Sequence, residues 1–384
     1  MKLAFLLYKY FPYGGMQRDF KRFVEQIQRR GHHCRIYYIS WQGESLVDTD
    51  MRQVAVKALS NHRRNQQFYH WVRRDLLADP VDGVVGFNKM PGLDVYYAAD
   101  SCYLAKAMLE RNWVYRLGAR FRHFSACEKA VFEPRSATQI LLISQTEKAK
   151  FEKHYQTPEA RMHMLPPGID PDRRAGADAD QRRSLTRHAL GLGDEDIALF
   201  FIGSGFIKKG LGRAIRTLAA TRLAKPAQNV QLFVVGQDKK RRFKRLATKL
   251  SVAQNVHFLE GRDDIPDLLL AADLLVHPAL DEAAGIVLIE ALVAGLPVVV
   301  TDVCGYAHHI AAADGGEVLS SPFDQQQWDA AVLRALEAKT LSRYKASALA
   351  YAEREDLYSM HHTGAMLIEK IIASRTKQLS GASS

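Results

Sequence analysis

Residues 197–215 read IALFFIGSGFIKKGLGRAI. Six apolar residues in a row lead into a glycine turn, two lysines and the start of a pattern with helical spacing. An unbroken apolar run is what a strand shows when both its faces are covered, as inside a parallel α/β sheet. The glycines invite a dinucleotide reading, but the pattern is G-x-G-x-x-K, with Lys208 where the third glycine belongs. No Gly-Lys-Ser/Thr follows, so it is not a P-loop either. What remains is a flexible loop presenting Lys208 and Lys209 at a helix start. Cations are disfavoured there, so a bound anion would explain the pair.

The same alternation extends outward in both directions. Strand candidates fall at 3–8, 34–40, 83–88, 95–100 and 139–145, then at 197–204, 230–237, 256–261, 274–279 and 297–302. Helical spacing appears at 19–30, 210–219 and 239–250. The β-α-β-α order in both halves predicts an α/β chain of two doubly wound parallel sheets, each Rossmann-like. The stretch LPPGIDPDRR (165–174) interrupts the alternation with prolines and a glycine. The predicted domains are therefore 1–167 and 168–358, followed by an amphipathic helix over 359–375 and a disordered tail over 376–384. Ligands of such sheets bind beyond the carboxyl ends of the strands.

A second stretch carries the chemistry: DEAAGIVLIEALVAGLPVVVTD (281–302). A loop holding Glu282 runs into a helix that opens at Gly285. A helix start exposes unpaired N–H groups and partial positive charge, and glycine lets a phosphate come close. The amides around Ala284, Gly285 and Ile286 thus suit a phosphate, with Glu282 facing whatever is attached to it. Glu290 lies roughly 7–8 Å further along the helix at ~1.5 Å per residue. A buried carboxylate needs donors, and a ribose diol supplies two; an internal cap or ion pair is the equally open alternative. Together these groups suit a nucleoside diphosphate sugar. Lys209 would stabilise the charge that grows on the diphosphate as the glycosidic bond breaks. In the N-terminal half, KYFPYGGMQRDF (9–20) follows the first strand. Gly15 lets that loop approach a ligand, and Asp19, read as the start of the next helix, is either a cap or an acceptor contact.

The bulk composition narrows the partners. Among 384 residues, 53 Lys and Arg face 42 Asp and Glu, a net charge of +11. Such a surplus favours nucleic acid, nucleotide phosphates or an anionic membrane, or is simply a solvated basic surface. A nucleic-acid binder is the non-enzyme alternative, but the chain contains no compact recognition module. Cys34, Cys102, Cys127 and Cys304 are scattered without a CxxC, which excludes a zinc knuckle or redox dithiol and fits a reducing cytoplasm. The apolar stretch before Lys9 is too short for a signal peptide, and no apolar run approaches the ~18 residues a membrane span needs. Asp48-Thr49-Asp50 reads as a polar surface loop, and the paired histidines lack chelating spacing, so no metal is expected. Residues 101–133 mix basic and aromatic side chains, with Val114, Leu117, Phe121 and Phe124 on one helical face. Arg111, Trp113, Arg116, Arg120, Phe121 and Arg122 suit an interfacial helix on anionic lipid, the alternative being a helix packed on its own domain.

These motifs carry a resemblance. EAAGIVLIEA, the KKG loop and the GG loop after the first strand resemble the GT-B retaining glycosyltransferases of family 4. LYKYFPYGGMQRDF, NHRRN, VGFNKMPGLDVYYAAD, KHYQTPEARMHMLPPGI and VCGYAHHIA are similar to the glucosyltransferases that build the lipopolysaccharide core of Gram-negative bacteria. The resemblance runs from Met1 to about Tyr358. It implies two domains facing an interdomain cleft, with 359–375 completing the N-terminal, acceptor-binding domain and 168–358 binding the donor. It implies transfer of a hexose, glucose foremost, from a UDP-sugar to an inner-core heptose, with retention and without a metal cofactor. An N-acetylated or galacto-configured donor stays open. Glu282, Lys209 and Asp19 would be catalytic. Donor contacts would come from Gly15, Asp100, Arg173, Lys208, Ala284, Gly285, Ile286, Glu290 and Arg262. The family has an arginine five residues before its donor lysine, where this chain has Ser204, so Arg173 or Lys208 is expected to restore the charge. The implied location is cytoplasmic, peripheral on the inner face of the inner membrane, with no nucleic-acid partner.

Overall fold

The structure, a computed structural model, describes residues 1–12 and 14–381. The chain divides into two units: Met1–Pro166 with the chain from Ser359 onward, and Pro167–Tyr358.

Unit 1 is built on a seven-stranded sheet. Its strands are β1 (Lys2–Tyr10), β2 (His33–Trp41), β3 (Thr49–Gln53), β4 (Gly83–Gly86), β5 (Val95–Ala98), β6 (Gln139–Leu142) and β7 (Met162–Met164). All neighbours pair in parallel, in the order β3-β2-β1-β4-β5-β6-β7. Unit 2 has six parallel strands: β8 (Ile197–Ile202), β9 (Val230–Val235), β10 (Val256–Glu260), β11 (Leu274–His277), β12 (Val298–Thr301) and β13 (Gly316–Leu319). Their order is β10-β9-β8-β11-β12-β13. Each sheet grows one way from its first strand and then reverses, so each has a switch point: between β1 and β4, and between β8 and β11.

The apolar run of β8 follows from this placement. Ala198, Phe200 and Ile202 join one core with Leu275, Val298, Leu288 and Leu292, while Ile197, Leu199 and Phe201 join the other with Val276, Val299 and Trp328. With helices on both faces, alternation has nothing to report.

The last helix, Met360–Gly381, belongs to unit 1. His361 Nε2 donates to Asp19 at 3.0 Å, Glu369 pairs with Arg30, and Ile372 packs where a side chain on Gly83 would stand. It begins one residue later than expected and continues through Gly381, so 376–381 is helix where a disordered tail was expected; the remainder of that tail lies outside the described residues. Three strands were not anticipated: β3, β7 and β13. All three are sheet edges, too short and too little buried to show an apolar pattern. Asp50, read as loop, is therefore in β3, where it accepts from Arg35 Nε at 2.9 Å.

Candidate active site

The two halves of the unit 2 site leave the sheet on either side of the β8/β11 switch point. After β8 the chain forms a tight turn ending in the helix Leu211–Ala224. Phe206 is fully buried and its N–H donates to Asp238 at 2.9 Å, so the turn is pinned, where a flexible loop was expected. Gly210 closes it at φ +79, and a Cβ there would meet the carbonyl oxygen of Pro278 at 1.9 Å. Only glycine permits that approach of the two loops. Leu280 N donates to the Lys208 carbonyl at 2.6 Å, and Arg213 Nη1 donates to the carbonyls of Pro278 and Ala279 at 3.1 and 3.0 Å.

After β11 the chain carries Asp281 and Glu282 into the helix Ile286–Val293. Its N-cap is Gly285 at φ +84, a left-handed position that glycine fills without strain. Gly305 N donates to the Glu282 carbonyl at 3.3 Å and Tyr306 N to that of Ala284 at 2.8 Å, locking the loop against the turn after β12.

Lys209 Nζ pairs with Glu282 Oε2 at this junction, with both side chains mostly buried. Burial alone would raise the Glu282 carboxyl, but the His277 and Lys209 side chains outweigh it and hold it down at about 2. His277, the last residue of β11, is fully buried, with Nε2 3.7 Å from Glu282 Oε2. Burial pushes this imidazole down and, with the Lys209 ammonium, outweighs the Glu282 carboxylate, which favours the charged ring, so the neutral form is favoured and Lys209 supplies the countercharge.

The structure thus brings Lys208, Lys209, Glu282, Ala284, Gly285 and Ile286 into one place. Lys208 lies 3.8 Å from Asp281. Glu290 sits on the same helix, half-buried, while Val287, Leu288, Ile289, Ala291, Leu292 and Val293 are all in the core. Arg262 follows the edge strand β10 and forms an ion pair with Asp264. Arg173 ends a short turn at Pro171–Arg173, its Nε 3.9 Å from Asp172 and its buried Nε and Nη1 without a hydrogen-bond partner among the described residues.

In unit 1, Asp19 does not begin a helix. The helix is Gly15–Arg29, and Asp19 lies one turn inside it, accepting from Tyr97 Oη at 2.7 Å and from His361. Gly15 is the first residue of that helix, with open space where a Cβ would be. Asp100 is exposed just past β5. Residues 101–133 form three helices, Tyr103–Glu110, Trp113–Leu117 and Ala119–Phe132, and not one interfacial helix. Asn112 caps the second, and extended residues at Arg111 and Gly118 make the breaks. Glu128 is fully buried and accepts from the Tyr103 and Leu104 amides at 2.7 and 2.8 Å, anchoring the first of these helices. Arg111 stacks over Tyr115 and Arg120 over Phe124, while Leu109, Trp113 and Leu117 are 88%, 67% and 65% exposed. Arg116 and Phe121 are partly buried, and Arg122 is exposed.

Sequence reasoning missed His277 and Arg213. A histidine closing the otherwise apolar strand LLVHPA was the available signal for the first. Among the described residues, no group of three or more His, Cys, Asp or Glu side chains is arranged to hold a metal ion, and no helix is long and apolar enough to cross a membrane.

A buried cation–carboxylate pair at the switch point of a doubly wound parallel sheet marks a ligand site, and comparison with known proteins gives its class. Residues 13–173 match glycosyltransferase family 4, and residues 183–354 match glycosyl transferases group 1. The lipopolysaccharide glucosyltransferase WaaG of Escherichia coli (strain K12) is 47% identical over 369 residues, 96% of this chain and 98% of its own. A crystal structure of WaaG superposes with a TM-score of 0.88, covering 95% of this chain and 99% of that one at 47% identity. At 18% identity the fold alone is shared with Anabaena HepE in complex with UDP-glucose, TM-score 0.73 over 97% of this chain and all of that one. The chain belongs to the GT-B glycosyltransferases of family 4.

Proposed function

We propose that this glycosyltransferase moves a hexose, glucose foremost, from a UDP-sugar to a heptose of the lipopolysaccharide inner core, with retention. The observation that carries the reading is the Lys209–Glu282 pair at the β8/β11 switch point, beside the glycine-capped start of helix Ile286–Val293. The likeness to the E. coli lipopolysaccharide glucosyltransferase supports the donor and acceptor classes. In this reading the diphosphate lies between Lys209 and the amides at Ala284–Ile286, and the ribose reaches Glu290. Lys208 and Arg173 add positive charge, and Arg262 lies on the donor side. The acceptor hydroxyl attacks on the face the leaving group departs from, and a diphosphate oxygen takes its proton. Lys209 stabilises the departing charge and Glu282 the oxocarbenium-like centre. No metal is needed, because Lys209 and the helix start already oppose the diphosphate charge.

The test is a donor screen with purified protein, reading UDP release with and without truncated lipopolysaccharide and with and without chelator. UDP-glucose should give acceptor-dependent release that chelator leaves unchanged. Release only from an N-acetylated or galacto-configured donor would replace the glucose assignment, and none from any UDP-hexose would sink the reading.

The exposed Leu109, Trp113 and Leu117 among Arg111, Arg120 and Arg122 support docking of unit 1 on anionic lipid. That is where a lipid-anchored acceptor would lie, and in this reading the enzyme works in the cytoplasm, peripheral on the inner membrane. Nucleic acid is not a partner in this reading.

A further inference from the structure

Glu282 and Lys209 neutralise one another, yet a nucleotide diphosphate needs that same ammonium. Drawing Lys209 away leaves a carboxylate, 19% exposed, in a site that cannot solvate it fully. An ionised group in such a place needs another donor. The loop holding Glu282 is bonded on both sides, through Leu280 N to Lys208 and through Gly305 N and Tyr306 N to the turn after β12, so its backbone has little room to carry the carboxylate outward. One donor stands near the oxygen that Lys209 would release: His277 Nε2, 3.7 Å from Glu282 Oε2. Neither ring nitrogen of His277 has a hydrogen-bond partner among the described residues. A fully buried imidazole with both nitrogens unsatisfied is costly, and such groups call for an explanation. At 3.7 Å the gap is a little longer than a hydrogen bond, so a small shift of the carboxylate closes it.

We infer that His277 is a positioning residue: when the donor diphosphate engages Lys209, Glu282 passes from the Lys209 ammonium to the His277 Nε2–H, which holds the carboxylate in place through the transfer. No bond is made or broken in this exchange; one ion pair is replaced by a ligand ion pair and one hydrogen bond. His277 touches neither sugar nor phosphate and acts through Glu282 alone. The inference rests on the donor-site reading given above.

Three variants test it. His277→Gln puts an amide N–H near the position of Nε2, His277→Asn puts it near Nδ1, and His277→Leu removes it. Steady-state rates with the donor that the wild type uses, and UDP binding by calorimetry, are measured for each. The hydrogen bond forms only once a diphosphate has taken Lys209, so His277→Leu should weaken UDP binding by roughly 10- to 100-fold, as for a lost hydrogen bond to a charged group, and should lower kcat as well. His277→Gln should recover to within about threefold of wild type, and His277→Asn should not. Equal rates and equal UDP affinities for His277→Gln and His277→Asn would overturn the inference, as would wild-type UDP affinity in His277→Leu. If His277→Leu fails to fold, the Gln and Asn pair decides alone. Wild-type protein that binds no UDP would instead defeat the donor-site reading.

Discussion

Lys209 and Glu282 sit where each would be a liability alone: a lysine beside a helix start and a carboxylate mostly out of water. Their pairing sets the expected phenotypes. Lys209→Ala should lose both UDP affinity and kcat, whereas Glu282→Ala should lose mainly kcat, by about 10²- to 10³-fold. Near-normal turnover in both, by UDP-release assay, would remove them from the reaction. Arg173→Ala with Lys208 intact should weaken donor binding, and wild-type affinity would assign the compensating charge elsewhere. The pair also has a pH signature. Glu282 is held at about 2 against an ordinary 4.5, so its contribution is complete above pH 4.5 and is lost as pH falls from there toward 2. That contribution is on the order of 3 kcal/mol. The denaturation midpoints of wild type and Glu282→Gln should therefore differ more at pH 7 than at pH 3. Any loss of activity between pH 5 and 7 belongs to other groups.

Among the elements, the turn Gly203–Gly210 tolerates little change. Gly210→Ala forces a Cβ onto the Pro278 carbonyl, and a backbone atom cannot step aside as a side chain can. A loss above ~3 kcal/mol is expected, and with it the alignment of Lys209 on Glu282. Gly205 has nearly the same φ, +80, but open space around it, so Gly205→Ala should cost only ~1–2 kcal/mol. Comparable melting temperatures for the two would show that the loops separate readily. Much of this was legible in the sequence, for physical reasons. Central strands such as β8 and β12 are covered on both faces and read as unbroken apolar runs, and the glycines at 210 and 285 punctuate the helix starts. The edge strands β3, β7 and β13 escaped because they are only 5, 3 and 4 residues long, with too few buried apolar side chains to make a pattern. Sequence spacing left Asp19 as either a cap or an acceptor contact, because it cannot show that Tyr97 and His361, 78 and 342 positions away, would meet its carboxylate. The breaks at Arg111 and Gly118 were missed because the apolar spacing of 114, 117, 121 and 124 runs straight across Gly118.

Across the whole molecule the positive charge is unevenly spread. Residues 239–249, KKRRFKRLATK, hold seven basic side chains and no acidic one, while 101–133 holds six basic against three acidic. Lipid binding should accordingly have two components. Trp113→Ser with Leu117→Ser should weaken the part that survives high salt. Charge reversal at Arg241, Arg242 and Arg245 should remove salt-sensitive binding, by ~1 kcal/mol per residue if this helix meets the surface. Sedimentation with neutral and anionic vesicles separates the two, and unchanged salt dependence would show that this helix stays in water. Unit 1 depends on the far end of the chain. Removing residues from Ser359 onward takes Met360, Ala365, Ile368 and Ile372 out of its core and strips partners from Asp19 and Arg30. Such a truncation should be insoluble or melt far below wild type. Unit 2 is instead a single unbroken stretch whose first and last segments are joined by Ile169 N donating to the Leu357 carbonyl at 3.2 Å. In chain order, all of unit 2 is therefore made before the helix that closes unit 1. Unit 2 can begin to fold from its own contiguous chain, whereas unit 1, begun first, stays open along one apolar groove until the helix from Met360 is made.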